Sequence, residues 1–175
     1  MSRDAHRASA PTSVDLFIVT FSDTRDRTTD RGGDVVEELG VAAGHRIQGR
    51  AIVREHAERA RHEIASLLAR DDFDVLIATG GTGIAPRDLA ADLFELLYER
   101  TLPGFGELFR MLSFAEIGGA AWLSRASAGI VRGKAVFSLP GSPPAARLGM
   151  EQLVLPELGH LVAELRRPRA ARRGL

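Results

Sequence analysis

Between Val75 and Asp88 the chain reads VLIATGGTGIAPRD, and this stretch limits the possible folds more than any other. It opens as a continuous apolar run with β-branched residues, which suits a strand buried on both faces. Gly80, Gly81 and Gly83 follow at once. Glycine adopts positive φ and carries no Cβ, so a turn built this way lets a ligand approach the backbone. Successive N–H groups can converge there on an anion, and a helix starting just beyond adds its positive end. Pro86 suits a first helical turn, with Asp88 behind it. The stretch is not a P-loop, since no Gly-Lys-Ser/Thr follows. It is not a dinucleotide fingerprint either, since Pro86 stands where the last glycine belongs. Spacing alone leaves two readings: a tight strand-to-helix turn, or an anion-binding turn with a carboxylate at its lip.

The rest of the chain alternates strand and helix patterns around this turn. Val14 to Phe21 reads as a strand and ends in Ser22-Asp23-Thr24-Arg25. Gly32-Gly33 opens a helix through Leu39, which Gly40 or Gly44 ends. His45 to Val53 alternates, with Ile47, Ala51 and Ile52 inward and Arg46, Gln48 and Arg50 outward, as expected at a sheet edge. A helix over 56–69 presents Ala57, Ala60, Ile64, Leu67 and Leu68 as one stripe. Asp88 to Glu99 reads as a helix, and so does Phe105 to Phe114, followed by a short helical turn over 115–123. Ala126 to Val131 and Lys134 to Leu139 form two strands with a hairpin signal at Arg132-Gly133. Pro140 to Pro144 is a turn before a final helical region over 145–165, which Pro156 divides. Strands alternating with helices imply an α/β domain with a mostly parallel sheet covered on both faces. The domain spans 14–165, between a disordered N-terminal tail (1–13) and an arginine-rich, solvated C-terminal tail (166–175).

Composition narrows the function. With 23 basic residues against 23 acidic ones, the chain lacks the basic excess that nucleic-acid binding requires. The absence of cysteine removes disulfides, zinc-thiolate sites and cysteine nucleophiles, and fits a cytoplasmic protein. No apolar run reaches transmembrane length, so no membrane role is expected. His45, His56, His62 and His160 read as surface residues without metal-ligand spacing, and His6 lies in the tail.

Ligands of open α/β sheets bind beyond the carboxyl ends of the strands. Ser22 and Asp23, Glu55, the segment Gly80 to Asp88, and Pro140 to Ser142 all stand at such ends. If those strands are parallel, the four clusters meet on one rim. Asp88 with Glu55 or Asp23 can hold magnesium, the glycine turn and Ser142 can take phosphates, and Arg87, Arg110 and Arg125 can neutralise charge. Each also has a structural alternative: Ser22 and Asp23 as a local turn, Ser142 as a helix cap, Asp88 as a partner of a helix dipole.

The segments TGGTGIAPRD, GFGELFRMLSFAEIG, LSRA and LPGSP, with FSDTR and IVRE, resemble the MoaB/MogA group of molybdenum-cofactor biosynthesis proteins, and FGELFRMLSFAEIG is closer to the MoaB branch. The resemblance spans Asp15 to Leu165. It implies a three-layer α/β/α, MogA-like fold that binds molybdopterin and assembles as a trimer or hexamer. It also implies adenylylation of molybdopterin by ATP with magnesium, giving a product that other proteins of the pathway use. By position, Asp88 matches the essential aspartate after TGGTG and is the implied magnesium ligand. Thr79, Gly80, Gly81, Thr82 and Gly83 match the phosphate-binding loop. Ser22, Asp23, Pro140, Gly141 and Ser142 match two further ligand-binding turns, and Ser113 and Glu107 lie in the matching GFGE…LS segment. One departure stands out: relatives that turn over carry Pro-Asp after the second strand, where this chain has Arg54-Glu55. Two functions therefore stay open, an adenylyltransferase with Asp88 and Glu55 as catalytic residues and a molybdopterin carrier with little turnover. A scaffold role and the related competence-damage-inducible domain fit the motifs less well.

Overall fold

The computed structural model describes residues 10–167. Apolar residues on both faces of the central strands dictate three layers. In β1 (Asp15–Phe21), Leu16 and Ile18 face one helical layer, while Phe17, Val19 and Phe21 face the other. In β3 (Val75–Thr79), Val75 and Ile77 oppose Leu76 and Ala78 in the same way. The sheet order is β2-β1-β3-β6-β5-β4, with β2 (Arg46–Val53) at one edge, as its alternation predicts. β2, β1, β3 and β6 (Lys134–Leu139) run parallel. β5 (Ser127–Val131) returns antiparallel through Arg132 and Gly133, both at positive φ, as the hairpin signal predicts. β4 (Arg100–Thr101) is a two-residue strand that the sequence pattern did not reveal.

Helices α1 (Arg31–Ala42), α4 (Pro103–Ile117), α5 (Pro143–Gly149) and α6 (Leu158–Arg166) cover one face; α2 (Ala57–Leu68) and α3 (Ala90–Leu97) cover the other. The expected α/β/α architecture with a mostly parallel sheet is thus the one observed. α1 runs past Gly40 and ends before Gly44, which takes positive φ. In α2 the stripe is Ala60, Ile64 and Leu68, and Ala57 is exposed. Pro156 does divide the last helical region, through a π-helical turn (Met150–Val154) and a 3-10 turn (Leu155–Glu157). No helix among the described residues is long and apolar enough to cross a membrane. Expectations for residues 1–9 (including His6) and 168–175 lie outside the described residues.

Two outward assignments are corrected. The pairing of β1 with β2 slips between Leu16 and Phe17, so Leu16 faces Ile47 while Phe17 faces Gly49. This bulge at Gln48 reverses the alternation and turns Arg50 inward, toward α1. There its side chain, 5% exposed, pairs with the 1% exposed Asp30 at 2.7 Å and also reaches Asp34 and Glu37. His45 is half-buried, not a free surface residue: its Nδ1 accepts from the Val14 N–H, and burial lowers its pKa.

Asp30 is the hub of this buried cluster. Its carboxylate accepts from Thr20 Oγ1 (2.7 Å), from the Gly33 N–H at the start of α1 (3.0 Å) and from Arg50. Burial pushes its pKa up, but the bonds from Thr20, Gly33 and Arg50 outweigh it and the net shift is downward. A carboxyl group with a depressed folded pKa stabilises above its ordinary value, and that contribution disappears as pH falls through the depressed one. Replacing Asp30 by Ala should therefore cost about 3 kcal/mol at neutral pH. In urea unfolding, the gap from wild type should close as pH drops below the ordinary aspartate range.

Candidate functional site

The parallel strands bring the four polar clusters to one rim. Gly80 (φ 85°) and Gly81 (φ 64°) turn the chain as it leaves β3. The Gly80 N–H donates to Leu139 O at the end of β6 (2.9 Å), so the two strand exits are joined. A Cβ on Gly80 would meet Phe21 O at the end of β1. Only glycine allows both this φ and this approach.

α3 starts later than expected. Residues 83–88 form a bent loop, and the helix begins at Ala90 instead of Asp88. The loop is held by its own side chain: Asp88 Oδ2 accepts from the Ala85 N–H (2.9 Å), and the Asp88 N–H donates to Ala85 O (2.8 Å). Pro86 therefore shapes a turn, not a first helical turn. The first N–H groups of α3 also serve the protein itself, with Ala91 N–H donating to Gly81 O (3.2 Å).

The segment after β1 is tied down from several directions. Ser22 Oγ accepts from the N–H groups of Thr24 and Arg25, so its hydroxyl builds the turn. Asp23 Oδ1 accepts from the Glu55 N–H (2.9 Å). Arg25 donates to Gly141 O (3.0 Å), and Arg54 donates to the carbonyls of Ser22 (3.0 Å) and Arg25 (3.3 Å). These bonds fasten the exits of β1, β2 and β6 to one another.

Two cavities open on this rim. The first, about 320 Å3, is polar and is lined by Ser22, Asp23, Arg25, Glu55, Gly80, Gly81, Arg87, Asp88, Gly141 and Ser142, among others. The second, about 370 Å3, is lined largely by apolar groups, including Phe109, Ile117, Ala121, Leu123 and Ala145, with Thr82, Gly83, Ser113 and Pro140. Gly81, Asp88, Gly141 and Ser142 border both.

All but one of the sequence-derived ligand and catalytic residues thus line one cavity or the other. The exception is Thr79, which is fully buried, with its hydroxyl 3.1 Å from that of Thr20 in the Asp30 cluster. Glu107, together with Arg110 and Arg125, lines a third cavity, away from the rim. Arg110 and Arg125 also donate to main-chain carbonyls, so of the three arginines considered as charge neutralisers only Arg87 stands in the polar cavity. Arg25 was missed, although it closes the FSDTR motif. The apolar wall was missed too, although Phe109, Ser113 and Ile117 recur at four-residue spacing and so share a face of α4.

The polar cavity is acidic on one side. Burial raises the pKa of Glu55, and the charges of Asp88 and Asp23 raise it further, against an N–H bond from Leu89 and the charge of Arg87. Glu55 Oε2 is buried without a hydrogen-bond partner. A buried carboxylate oxygen with an open lone pair, next to two more carboxylates, is a donor set suited to a hard cation. Among the described residues no three such side chains close around a metal by themselves.

Comparison with known proteins places the chain in a family. A family model described as "Probable molybdopterin binding domain" matches residues 14–160. Molybdenum cofactor biosynthesis protein B of Halalkalibacterium halodurans is 44% identical over 170 residues, covering 97% of this chain and all of that protein. A crystal structure of a molybdenum cofactor biosynthesis protein B, 44% identical, superposes with a TM-score of 0.87 over 91% of this chain and all of the other. That of the tungsten cofactor synthesizing protein MoaB from Pyrococcus furiosus, 32% identical, covers 90% of this chain and all of its own with a TM-score of 0.78. The chain belongs to the MoaB/MogA family of molybdenum cofactor biosynthesis proteins, on its MoaB side.

Proposed function

We propose that this protein binds molybdopterin and adenylylates it with magnesium-ATP. The observation that carries this reading is the pair of cavities, one acidic and polar, the other mostly apolar, meeting at Gly81, Asp88, Gly141 and Ser142. A transferase needs two reactants brought together at one point, and a simple carrier needs one pocket. We assign the ring system of molybdopterin to the apolar cavity, and the triphosphate of ATP to the polar one.

In the proposed reaction a phosphate oxygen of molybdopterin attacks the α-phosphorus of ATP. The bond to the β-phosphate breaks, and adenylyl-molybdopterin and pyrophosphate leave. Both reactants are anions, so their approach beside Asp23, Glu55 and Asp88 calls for a positive charge among them. Magnesium bound there would neutralise the phosphates and stabilise charge on the leaving pyrophosphate. Asp88 and Glu55 would hold the ion. The glycine turn would orient the phosphates through its N–H groups, and Arg25 and Arg87 would add charge at the rim. No side-chain nucleophile is required. The site works in a homo-oligomer in this reading: Leu108, Met111 and Phe114 leave an exposed apolar face on α4, with Trp122 in the turn that follows, a surface of the kind further copies cover. A cytoplasmic location completes the reading.

Pyrophosphate release from purified protein, molybdopterin, ATP and magnesium tests it. Asp88→Asn keeps an acceptor for the Ala85 N–H but removes the charge, and should lower the rate about a hundredfold or more. A wild-type rate in that variant would remove Asp88 from the metal site. If wild type binds molybdopterin yet releases no pyrophosphate while Glu55→Asp does, Glu55 makes the protein a carrier.

The acidic cluster also predicts a trade between stability and binding. An acid whose folded pKa is raised destabilises the fold when ionised, fully above the raised value and not at all below the ordinary one. Glu55→Gln should therefore raise the thermal midpoint by a few degrees at neutral pH. The gain should vanish on acidification below the ordinary glutamate range, and magnesium binding should weaken in the same variant.

A further inference from the structure

The four residues from Ser22 to Arg25 all line the polar cavity, yet they belong to no helix or strand. Ser22 Oγ closes the segment on itself by accepting from the N–H groups of Thr24 (3.3 Å) and Arg25 (3.1 Å). Its other ties run to the exit of β2. The Ser22 N–H donates to Val53 O (3.0 Å), and the Glu55 N–H donates to Asp23 Oδ1 (2.9 Å). Between these two backbone ties stands the side chain of Arg54. Its Nη1 donates to both Ser22 O (3.0 Å) and Arg25 O (3.3 Å). A single nitrogen thus holds the carbonyls at the two ends of the segment, although Arg54 lines neither rim cavity.

The second of those carbonyls belongs to a residue whose own guanidinium stands in the cavity. Arg25 Nη1 donates to Gly141 O beyond β6 (3.0 Å), and a Cβ on Gly141 would lie 3.0 Å from the same nitrogen. The charge of Arg25 therefore rests against the backbone of a glycine that borders both cavities. A guanidinium sits at the end of a long, rotatable stem, so the place it reaches depends on where its main chain is held. Two arginines are arranged in series here: Arg54 holds the main chain of Arg25, and Arg25 sets its charge on Gly141.

We propose that Arg54 is the positioning residue for Arg25 and thereby for the positive charge that Arg25 brings to the polar cavity. The consequence for binding rests on the function proposed above; the structural part rests on the hydrogen bonds. The two carbonyls have no strand or helix partner, and a donor that joins both converts separate loop ends into one closed turn.

Arg54→Met keeps an extended stem and removes the donors. Amide order parameters at Asp23, Thr24 and Arg25, read by NMR relaxation, should fall from about 0.85, typical of rigid backbone, toward about 0.6. The amides of β1 and β3 should keep their values, and the thermal midpoint should move by no more than a few degrees. Affinity for magnesium-ATP, read by calorimetry, should drop about tenfold. In an Arg25→Ala background the residue to be positioned is gone, and Arg54→Met should change affinity by less than about twofold. Wild-type order parameters at 23–25 in Arg54→Met would overturn the proposal, and so would loosening spread evenly through the sheet, because Arg54 would then only stabilise the fold. A full tenfold loss that persists without Arg25 would overturn it as well, since Arg54 would then act on the ligand by itself. If wild-type protein binds no magnesium-ATP, the proposed function fails, and the order parameters still decide whether Arg54 holds the turn that carries Arg25.

Discussion

Three strand exits can meet at one point here only because the contacts between them lack side chains. A Cβ on Gly80 would run into Phe21 O, and one on Gly141 would lie 3.1 Å from the Gly80 Cα. One on Gly32, at the start of α1, would lie 2.8 Å from Gly141 O. Backbone therefore touches backbone from β1 through β3 to β6 and on to α1. Both rim cavities are lined by Gly141 of this contact, and the polar one by Gly80 and Phe21 as well. A methyl group anywhere along the line would push the exits apart and separate the two places where reactants are proposed to meet. The site is thus a property of how closely the sheet can be drawn together at its carboxyl edge, as well as of the residues that line it.

On this frame the charges divide into two sets. Asp23, Glu55 and Asp88 face the polar cavity, where their mutual repulsion and burial leave Glu55 reluctant to ionise. The arginines nearby are largely occupied with the main chain: Arg25 with Gly141 O, Arg54 with Ser22 O and Arg25 O, Arg125 with Gly83 O and Asp88 O. Carbonyl oxygens at loop ends have no strand or helix partner, and a guanidinium fork can satisfy several from one side chain. Within the lining of the polar cavity, the carboxyl groups of Asp23, Glu55 and Asp88 stand against the guanidinium groups of Arg25 and Arg87, so acid outnumbers base there. An anionic ligand alone would be repelled there, and an anionic ligand that arrives with a divalent cation would not.

Most of this was legible in the sequence. Apolar runs bounded by glycine located the central strands, Arg132-Gly133 gave the hairpin, and parallel order placed the polar clusters on one rim. What escaped had local physical causes. The bulge at Gln48 is invisible to a two-residue period, yet it reverses every later position of β2 and buries Arg50 against Asp30. Asp88 looked like the start of a helix because proline and an acid favour first turns. Its carboxylate instead closes a loop on the Ala85 N–H and delays the helix to Ala90. Thr79 shares the motif of the glycine turn, but strand alternation points its side chain into the Asp30 cluster. The apolar cavity was hidden because a serine on an otherwise apolar helix face reads as core until a space is seen in front of it.

The pair Arg54-Glu55 shows how a substitution that looks disruptive in sequence can be absorbed in three dimensions. Proline before a carboxylate would fix the corner after β2 through its own φ. Here the corner is fixed by side chains, with Arg54 bonded to the carbonyls of Ser22 and Arg25, and with the Glu55 N–H bonded to Asp23. The extra methylene of glutamate carries its carboxylate into a half-buried position, where Oε2 is buried without a hydrogen-bond partner. A Pro-Asp corner would be set by its own ring; this one is set by hydrogen bonds to the exit of β1. Without the bonds of Arg54 and Asp23, the corner that carries Glu55 would have neither a ring nor a side chain to hold it.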